Sequence, residues 1–188
     1  MIFTLFGINI KVEFLFTAVV ALLCVIDTKG IMWMSFAAVI LHELGHVAAM
    51  LILKVKIRQV RLSSCGVLID SEYCADCFKG AIIALAGPLV NIAVYSAVPF
   101  SDFGLVMLVT GVFNLIPITG TDGGDILRIV CTRLLGFQSS SAVFFVISAL
   151  FSSAMLFVGI MLIIKFGNPT LFAAAIYFVT MTVASLIT

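Results

Sequence analysis

The stretch ILHELGHVAAM, residues 40–50, decides how this chain folds. It places His42, Glu43 and His46 within an apolar run over residues 31–53. A helix needs about 20 apolar residues to cross a bilayer, so this run is long enough to span one. An ionisable side chain at the bilayer centre costs roughly 2.5 to 3.5 kcal/mol on insertion scales. Three such residues in one span therefore indicate a functional site.

The amino-acid composition indicates whether the chain folds in water or in a membrane. Of its 188 residues, 63% are hydrophobic and 10% are charged, and the mean hydropathy is +1.32. Soluble domains carry roughly 25% charged residues, so this composition indicates a membrane protein. The net charge is only +1, and no basic surface suggests a nucleic-acid partner. The five cysteines are scattered and odd in number, unlike a secreted disulfide framework.

Apolar runs along the chain predict an all-α membrane protein with about six transmembrane helices. No soluble domain such as a CBS or PDZ module is visible, so we expect one membrane domain over residues 1–188. Lys11 and Glu13 interrupt the first run, for which a cleaved signal peptide is the alternative. The runs cover approximately residues 8–26, 31–53, 81–98, 103–118, 142–164 and 171–187.

The positive residues between the runs predict the topology. With six crossings, one side collects eight of the ten lysines and arginines, and the other side has only Lys29 and Lys165. Cytoplasmic loops carry the excess of positive charge, so both termini are expected in the cytoplasm. A bacterial cell membrane is the expected location. The eight are Lys11, Lys54, Lys56, Arg58, Arg61, Lys79, Arg128 and Arg133.

The spacing H-E-x-x-H predicts a metal site. His42 and His46 are four residues apart, so on a helix both imidazoles share one face and can reach one ion. Glu43 is turned about 100° round the helix and can act on a water held there. These are the only two histidines in the chain. The alternative is that neighbouring helices satisfy both histidines by hydrogen bonds.

A catalytic zinc needs a third protein ligand, and Asp122 is the best-placed carboxylate. It lies in NLIPITGTDGGD, residues 114–125, where Pro117 breaks the helix and Gly120, Gly123 and Gly124 permit tight non-helical backbone. In one alternative, Asp122 caps the following helix, with Asp125 as a competing cap. In another, the third ligand is Glu72 in the charged loop.

Three motifs in order resemble the site-2 proteases, which are intramembrane zinc metalloproteases. They are HELGH, AGPLVN at residues 86–91 and NLIPITGTDGG, and they are most similar to the short form typified by stage IV sporulation protein FB. The family pattern N-x-x-P-x-x-x-x-D-G matches Asn114, Pro117, Asp122 and Gly123. Gly120 and Thr121 depart from it, because sporulation members often have a second proline and a leucine near there.

The resemblance implies a zinc endopeptidase that cleaves in or near a transmembrane segment. It supports one Zn²⁺ per chain on His42, His46 and Asp122, with Glu43 as catalytic base. Its implied partners are the lipid bilayer, a transmembrane or membrane-associated protein substrate and regulatory membrane proteins, and release of a pro-sigma factor during sporulation is one implied role. The alternative function is a zinc transporter or metal sensor that uses the same ligands without hydrolysis.

Two asparagines at membrane depth, Asn91 and Asn114, are candidates to stabilise the oxyanion of the reaction. For each, a helix-to-helix hydrogen bond is an equally weighted alternative. For Gly87 and Pro88 in AGPLVN, helix packing is the expected role.

The loop over residues 55–70 alternates partly between apolar and polar residues, which predicts a short β-hairpin near the cytoplasmic interface. Its edge can pair with an unwound substrate segment, as the resemblance also suggests. Alternatively, its basic residues lie on lipid headgroups. Cys74 and Cys77 form a lone C-x-x-C pair on the reducing side of the membrane, for which no chemistry is expected.

Overall fold

The computed structural model describes residues 2–5, 8–12, 27, 30–63, 66–71 and 77–185. Helices dominate these residues, and the predicted class of an all-α membrane protein is confirmed. Helices in a bilayer satisfy every backbone polar group internally, which is why so apolar a chain adopts them. In the described part, the helices are α1 (Ile31–Ile52), α2 (Cys77–Ala97), α3 (Asp102–Asn114), α4 (Asp122–Phe166) and α5 (Thr170–Ala184).

Three helical stretches among the described residues are long and apolar enough to cross a membrane. They are Ile31–Ile52, Cys77–Ala97 and Ser139–Phe166, and the apolar helices α3 and α5 are shorter. The fourth run was expected to be helical over residues 103–118, but α3 ends at Asn114. Pro117 accounts for the early end, since proline lacks a backbone N–H and disfavours helical backbone in the residue before it.

The first predicted span is wrong at its beginning. Ile8–Val12 forms a strand instead of a helix, and residues 13–26 lie outside the described part of the chain. In this stretch apolar residues alternate with Asn9 and Lys11, and a period of two with β-branched residues favours a strand. Hydropathy alone does not separate such a strand from the start of a membrane helix.

The strand Ile8–Val12 belongs to a four-stranded sheet whose order is β1-β2-β3-β4. β1 (Ile2–Leu5) pairs antiparallel with β2 (Ile8–Val12), which pairs parallel with β3. In the segment predicted as a hairpin, β3 (Ile57–Ser63) pairs antiparallel with β4 (Gly66–Ser71). These two strands are therefore part of a larger sheet that includes the N-terminal residues of the chain.

The chain divides into two compact units, Met1–Val112 and Phe113–Thr188. In the first unit α1 packs against α2. A Cβ atom added at Gly45 would lie 2.8 Å from the carbonyl oxygen of Ala86, so the glycine permits this close approach. Large apolar side chains such as Trp33, Leu51 and Leu89 are exposed on the outer faces of these helices, as expected for lipid contact.

In the second unit α4 packs against α5. Ile118, Met155, Ala175 and Phe178 form its buried apolar core. A buried hydrogen bond of 3.4 Å between the hydroxyls of Ser152 and Thr182 also joins the two helices. Small polar residues of this kind commonly connect helices in membranes.

Within α4, Gly136 has φ 74° and ψ 168°, which interrupts the helical backbone. The interruption separates an N-terminal segment beginning at Asp122 from the membrane-length segment Ser139–Phe166. Glycine suits this position because residues with a side chain rarely adopt a positive φ.

Gly45→Ala should lower the stability of the folded protein. The new methyl group would lie 2.8 Å from the Ala86 oxygen and 3.0 Å from Val90 Cγ2, so α1 and α2 must separate. Overpacking of this kind costs about 1–3 kcal/mol, which thermal unfolding in detergent will detect. The control is Leu44→Ala on the exposed face of the same helix. Equal melting temperatures for Gly45→Ala and wild type would contradict the packing role of Gly45.

Candidate metal centre

His42 and His46 lie on the buried face of α1. Their side chains are 4% and 7% exposed, and their Nε2 atoms are 3.1 Å apart. The helical spacing of four residues brings the two rings to the same side of α1, as the sequence predicts. Both Nε2 atoms therefore meet at one point in the first unit.

The opposite nitrogen of each ring is held by α2. His46 Nδ1 lies 2.7 Å from the carbonyl oxygen of Ile83, and His42 Nδ1 lies 2.9 Å from Asn91 Oδ1. A backbone carbonyl only accepts hydrogen bonds, so His46 Nδ1 donates, and in the neutral ring the lone pair is then on His46 Nε2. Metal-binding histidines are usually oriented in this way through their second ring nitrogen.

Gly87 provides the space in front of the two Nε2 atoms. A Cβ atom at this position would lie 2.4 Å from His46 Nε2 and 2.8 Å from His42 Nε2. Any other residue would therefore place a side chain against both nitrogens. Packing was the expected role for Gly87, but its position gives it a second one, which is to keep the ligand face of the histidines open.

The histidine pair fits a zinc ion. Two nitrogens on a tetrahedral zinc, each at roughly 2.0–2.1 Å, are about 3.3 Å apart. The 3.1 Å between the two Nε2 atoms is close to that separation. The Nδ1 contacts and the space at Gly87 complete the features expected of two histidines that bind a metal.

Glu43 follows His42 directly on α1 and is half-buried. The helical turn of about 100° per residue places it beside the histidine face rather than on it. A carboxylate in that position can exchange a proton with a water near the histidines without being a ligand itself.

Asp122 lies in the second unit, in the first turn of α4. Thr121, not Asp122, is the N-cap residue, because the Thr121 hydroxyl accepts a hydrogen bond from Gly124 N at 3.1 Å. The hydroxyl also contacts the carbonyl oxygens of Ile116 and Ile118. These bonds hold the turn before α4 and leave Asp122 without the capping role considered from the sequence.

The glycines after Asp122 allow the preceding loop to pack on the helix start. A Cβ atom at Gly123 would lie 2.2 Å from Leu115 O, and one at Gly124 would lie 2.0 Å from Ile118 O. Gly123 was expected in non-helical backbone, but its backbone is helical. A glycine is needed there because Leu115 O lies too close for a side chain. Only Gly120 in this stretch has a positive φ, of 91°.

The remaining predicted residues are distributed as follows. Asn114 is half-buried at the end of α3, Pro117 lies in the loop that follows, and Asn91 is fully buried on α2. Glu72 and Cys74 lie outside the described residues, and Cys77 is a half-buried free cysteine.

The sequence did not reveal the roles of Ile83 and Gly87. A spacing signal was present, since residues 83, 87 and 91 follow each other at intervals of four and so share one face of α2. The role of Ile83, however, belongs to its backbone carbonyl, which its side chain does not indicate.

Proteins similar to the chain include two curated relatives and one solved structure. A candidate zinc metalloprotease of Synechocystis sp. is 27% identical over 120 residues, covering 55% of this chain and 32% of that protein. A zinc metalloprotease of Methanocaldococcus jannaschii is 30% identical over 165 residues, covering 76% of this chain and 48% of that protein. The chain therefore spans about a third and about half the length of these relatives.

The solved structure is a site-2 protease from Methanocaldococcus jannaschii. It matches 98% of this chain and 94% of its own, with a TM-score of 0.72 and 24% identity. The two chains thus share a fold. No family model matches the sequence.

Gly87→Ala should weaken zinc binding without removing a ligand. The methyl group would occupy the space in front of both Nε2 atoms, so we expect at least about a tenfold loss of zinc affinity. The measurement is competition with a chelator on protein purified through a histidine-free tag.

Gly159→Ala is the matched control for Gly87→Ala. Its methyl group would meet the Phe172 backbone at 2.8 Å in the second unit, so it adds a comparable clash elsewhere. Equal losses of zinc in the two variants would show that general destabilisation, not the histidine site, is responsible.

Proposed function

We propose that the chain is a member of the site-2 protease family, a zinc endopeptidase that hydrolyses a peptide bond in or near a transmembrane segment. It is an integral membrane protein with helices of membrane-spanning length. The observation that carries the proposal is the histidine pair, whose Nε2 atoms face each other beside Gly87. A peptidase that acts in the bilayer needs such a site at membrane depth, where water must be activated.

In this proposal His42, His46 and Asp122 hold one zinc ion. Among the described residues, they are a set of histidine and carboxylate side chains that can each offer one ligand atom to an ion. Three protein ligands leave a fourth position open, which is the arrangement of catalytic rather than structural zinc. Thr121 caps α4 and so holds the helical turn in which Asp122 lies.

Glu43 is the proposed catalytic base. When bound, zinc lowers the pKa of water to about 7 and polarises a carbonyl group. Glu43 takes the proton of the attacking water and later delivers it to the leaving amine, so one carboxylate serves both halves of the hydrolysis. Its position next to His42, turned round the helix, suits this exchange.

Asn114 is the better candidate for stabilising the oxyanion. An oxyanion requires a donor, and the donor group of Asn91, Nδ2, is directed at the carbonyl oxygen of Ala38. Asn114 lies at the end of α3, immediately before the loop that leads to Asp122. Its amide is therefore assigned to the developing negative charge.

The proposed substrate is a transmembrane or membrane-associated protein. A helical substrate hides its amides in hydrogen bonds, so the cleaved segment must unwind and find new partners. β4 is a terminal strand of the sheet and offers a backbone edge for such a segment. Regulatory membrane proteins and the release of a sporulation regulator such as a pro-sigma factor remain part of the proposal.

The proposed location is a bacterial cell membrane, with both termini in the cytoplasm. The support is the distribution of positive residues, eight on one side of the predicted crossings and two on the other.

Glu43→Gln should abolish cleavage and leave zinc binding intact. The amide keeps the size of the carboxylate but cannot accept the proton, so cleavage should fall by about 10²–10⁴-fold. The assay co-expresses each variant with tagged single-span membrane proteins and follows the fragment that wild type produces. A transporter or metal sensor would produce no fragment, and its function would survive Glu43→Gln.

Asp122→Ala should lower the zinc content per purified chain, and Glu72→Ala should not. The reason is that loss of one of three ligands weakens binding, whereas Glu72 is expected to be solvated. Metal analysis of detergent-purified wild type, Asp122→Ala and Glu72→Ala provides the measurement. A loss of zinc in Glu72→Ala alone would transfer the third-ligand role to Glu72.

A further inference from the structure

Asn91 is a fully buried polar residue on α2, 0% exposed, that contacts a metal-binding histidine from behind. Its Oδ1 atom lies 2.9 Å from His42 Nδ1. Helix α3 covers it, since a Cβ atom at Gly111 would lie 3.0 Å from the Asn91 Cβ atom. The carboxamide is therefore enclosed by protein on this side, and its orientation is set by its neighbours.

Those neighbours allow only one orientation of the Asn91 amide. Its Nδ2 atom lies 3.4 Å from the carbonyl oxygen of Ala38 and 3.7 Å from Met107 Sδ. Both are acceptors without a proton to donate, so the NH₂ group must face them. The carbonyl oxygen of the amide must then face His42.

This orientation determines which ring nitrogen of His42 carries the proton. Asn91 Oδ1 can only accept, so His42 Nδ1 donates to it, and in the neutral ring the lone pair is then on His42 Nε2. His46 is in the same tautomer because of Ile83 O. In the neutral rings with these tautomers both Nε2 atoms are acceptors, although they lie only 3.1 Å apart.

The other tautomer of His42 would close the site. With its proton on Nε2, His42 would donate to His46 Nε2 across the same 3.1 Å, and a metal would have to break that bond. Asn91 would then have to turn its NH₂ group to His42 and its oxygen to Ala38 O. Two buried acceptors would face each other without a proton between them, which is unfavourable.

We propose that Asn91 is a positioning residue that selects the tautomer of the neutral His42 ring, with the proton on Nδ1 and the lone pair on Nε2, the nitrogen that would bind the metal. The metal part of this inference rests on the proposed zinc site, whereas the tautomer part does not. In this proposal Asn91 of AGPLVN orients the metal ligand His42. This role differs from the oxyanion role that was considered from the sequence.

The first test observes the tautomer directly in metal-free wild type. The chain has only two histidines, so ¹⁵N-histidine labelling gives four ring nitrogens in total. The His46→Ala variant, which retains only His42, assigns the signals. We expect a protonated Nδ1 and an unprotonated Nε2 for both residues. A proton on His42 Nε2 in wild type would overturn the proposal, whatever any variant does.

The second test removes the acceptor. Asn91→Leu should shift His42 towards the Nε2-protonated tautomer, leave His46 unchanged and weaken zinc affinity by about 10–100-fold, the usual effect of losing a group that orients a metal ligand. Asn91→Asp keeps an acceptor for His42 Nδ1 and should recover most of that affinity. If folded Asn91→Leu keeps the wild-type His42 tautomer and the wild-type zinc affinity, the proposal is overturned.

Met107→Leu is the matched control for packing. It removes the weaker of the two acceptors of Asn91 Nδ2 and keeps a buried apolar side chain. Ala38 O, at 3.4 Å, still orients the amide, so the tautomer and the zinc affinity should stay close to wild type. A loss equal to that of Asn91→Leu would reduce the role of Asn91 to packing and overturn the proposal.

The two tests also separate this proposal from the proposed function. If wild type shows the expected tautomers but binds no zinc, the peptidase proposal fails and the tautomer selection stands. If Asn91→Leu does not fold, the wild-type spectrum and Asn91→Asp still decide, because an Nε2 proton on His42 in either protein contradicts the mechanism.

Discussion

The rest of the site depends on two imidazole nitrogens, His42 Nε2 and His46 Nε2, that are held 3.1 Å apart. In the proposed tautomers both nitrogens are acceptors, which repel each other, and a cation between them would convert the repulsion into attraction. The protein holds this arrangement from the other side of each ring, through a backbone carbonyl for His46 and a carboxamide for His42. Folding energy from helix packing therefore maintains a geometry that the histidines would not adopt alone.

Helix α2 provides most of this support from one face. At intervals of four residues it presents the carbonyl of Ile83, the missing side chain of Gly87 and the amide of Asn91. Close approach at Gly45 is what brings this face within hydrogen-bonding distance of α1. The AGPLVN motif thus combines helix packing with ligand orientation, and a shift of α2 by one residue would lose all three contacts together.

The helical class and the shared face of the two histidines can be predicted from the sequence for physical reasons. In a bilayer the backbone polar groups must be satisfied internally, which favours helices. On a helix, the four-residue spacing of His42 and His46 places both side chains on one face. The strand at Ile8–Val12 was missed because an apolar count ignores period two, and the end of α3 was misplaced because Pro117 acts several residues before its own position. The contacts of Ile83, Gly87 and Asn91 depend on the register between α1 and α2. One sequence does not specify that register, since many apolar pairings are nearly equivalent in energy.

The non-helical backbone at Gly136 divides α4 into two segments that can change their tilt separately. Its C-terminal segment has the length to cross a bilayer, and such a helix tilts when the membrane becomes thicker or thinner. A continuous helix would transmit that tilt along its whole length to Asp122. Because the backbone is not helical at Gly136, the N-terminal segment need not follow. The turn that presents Asp122 can then keep its conformation in membranes of different lipid composition.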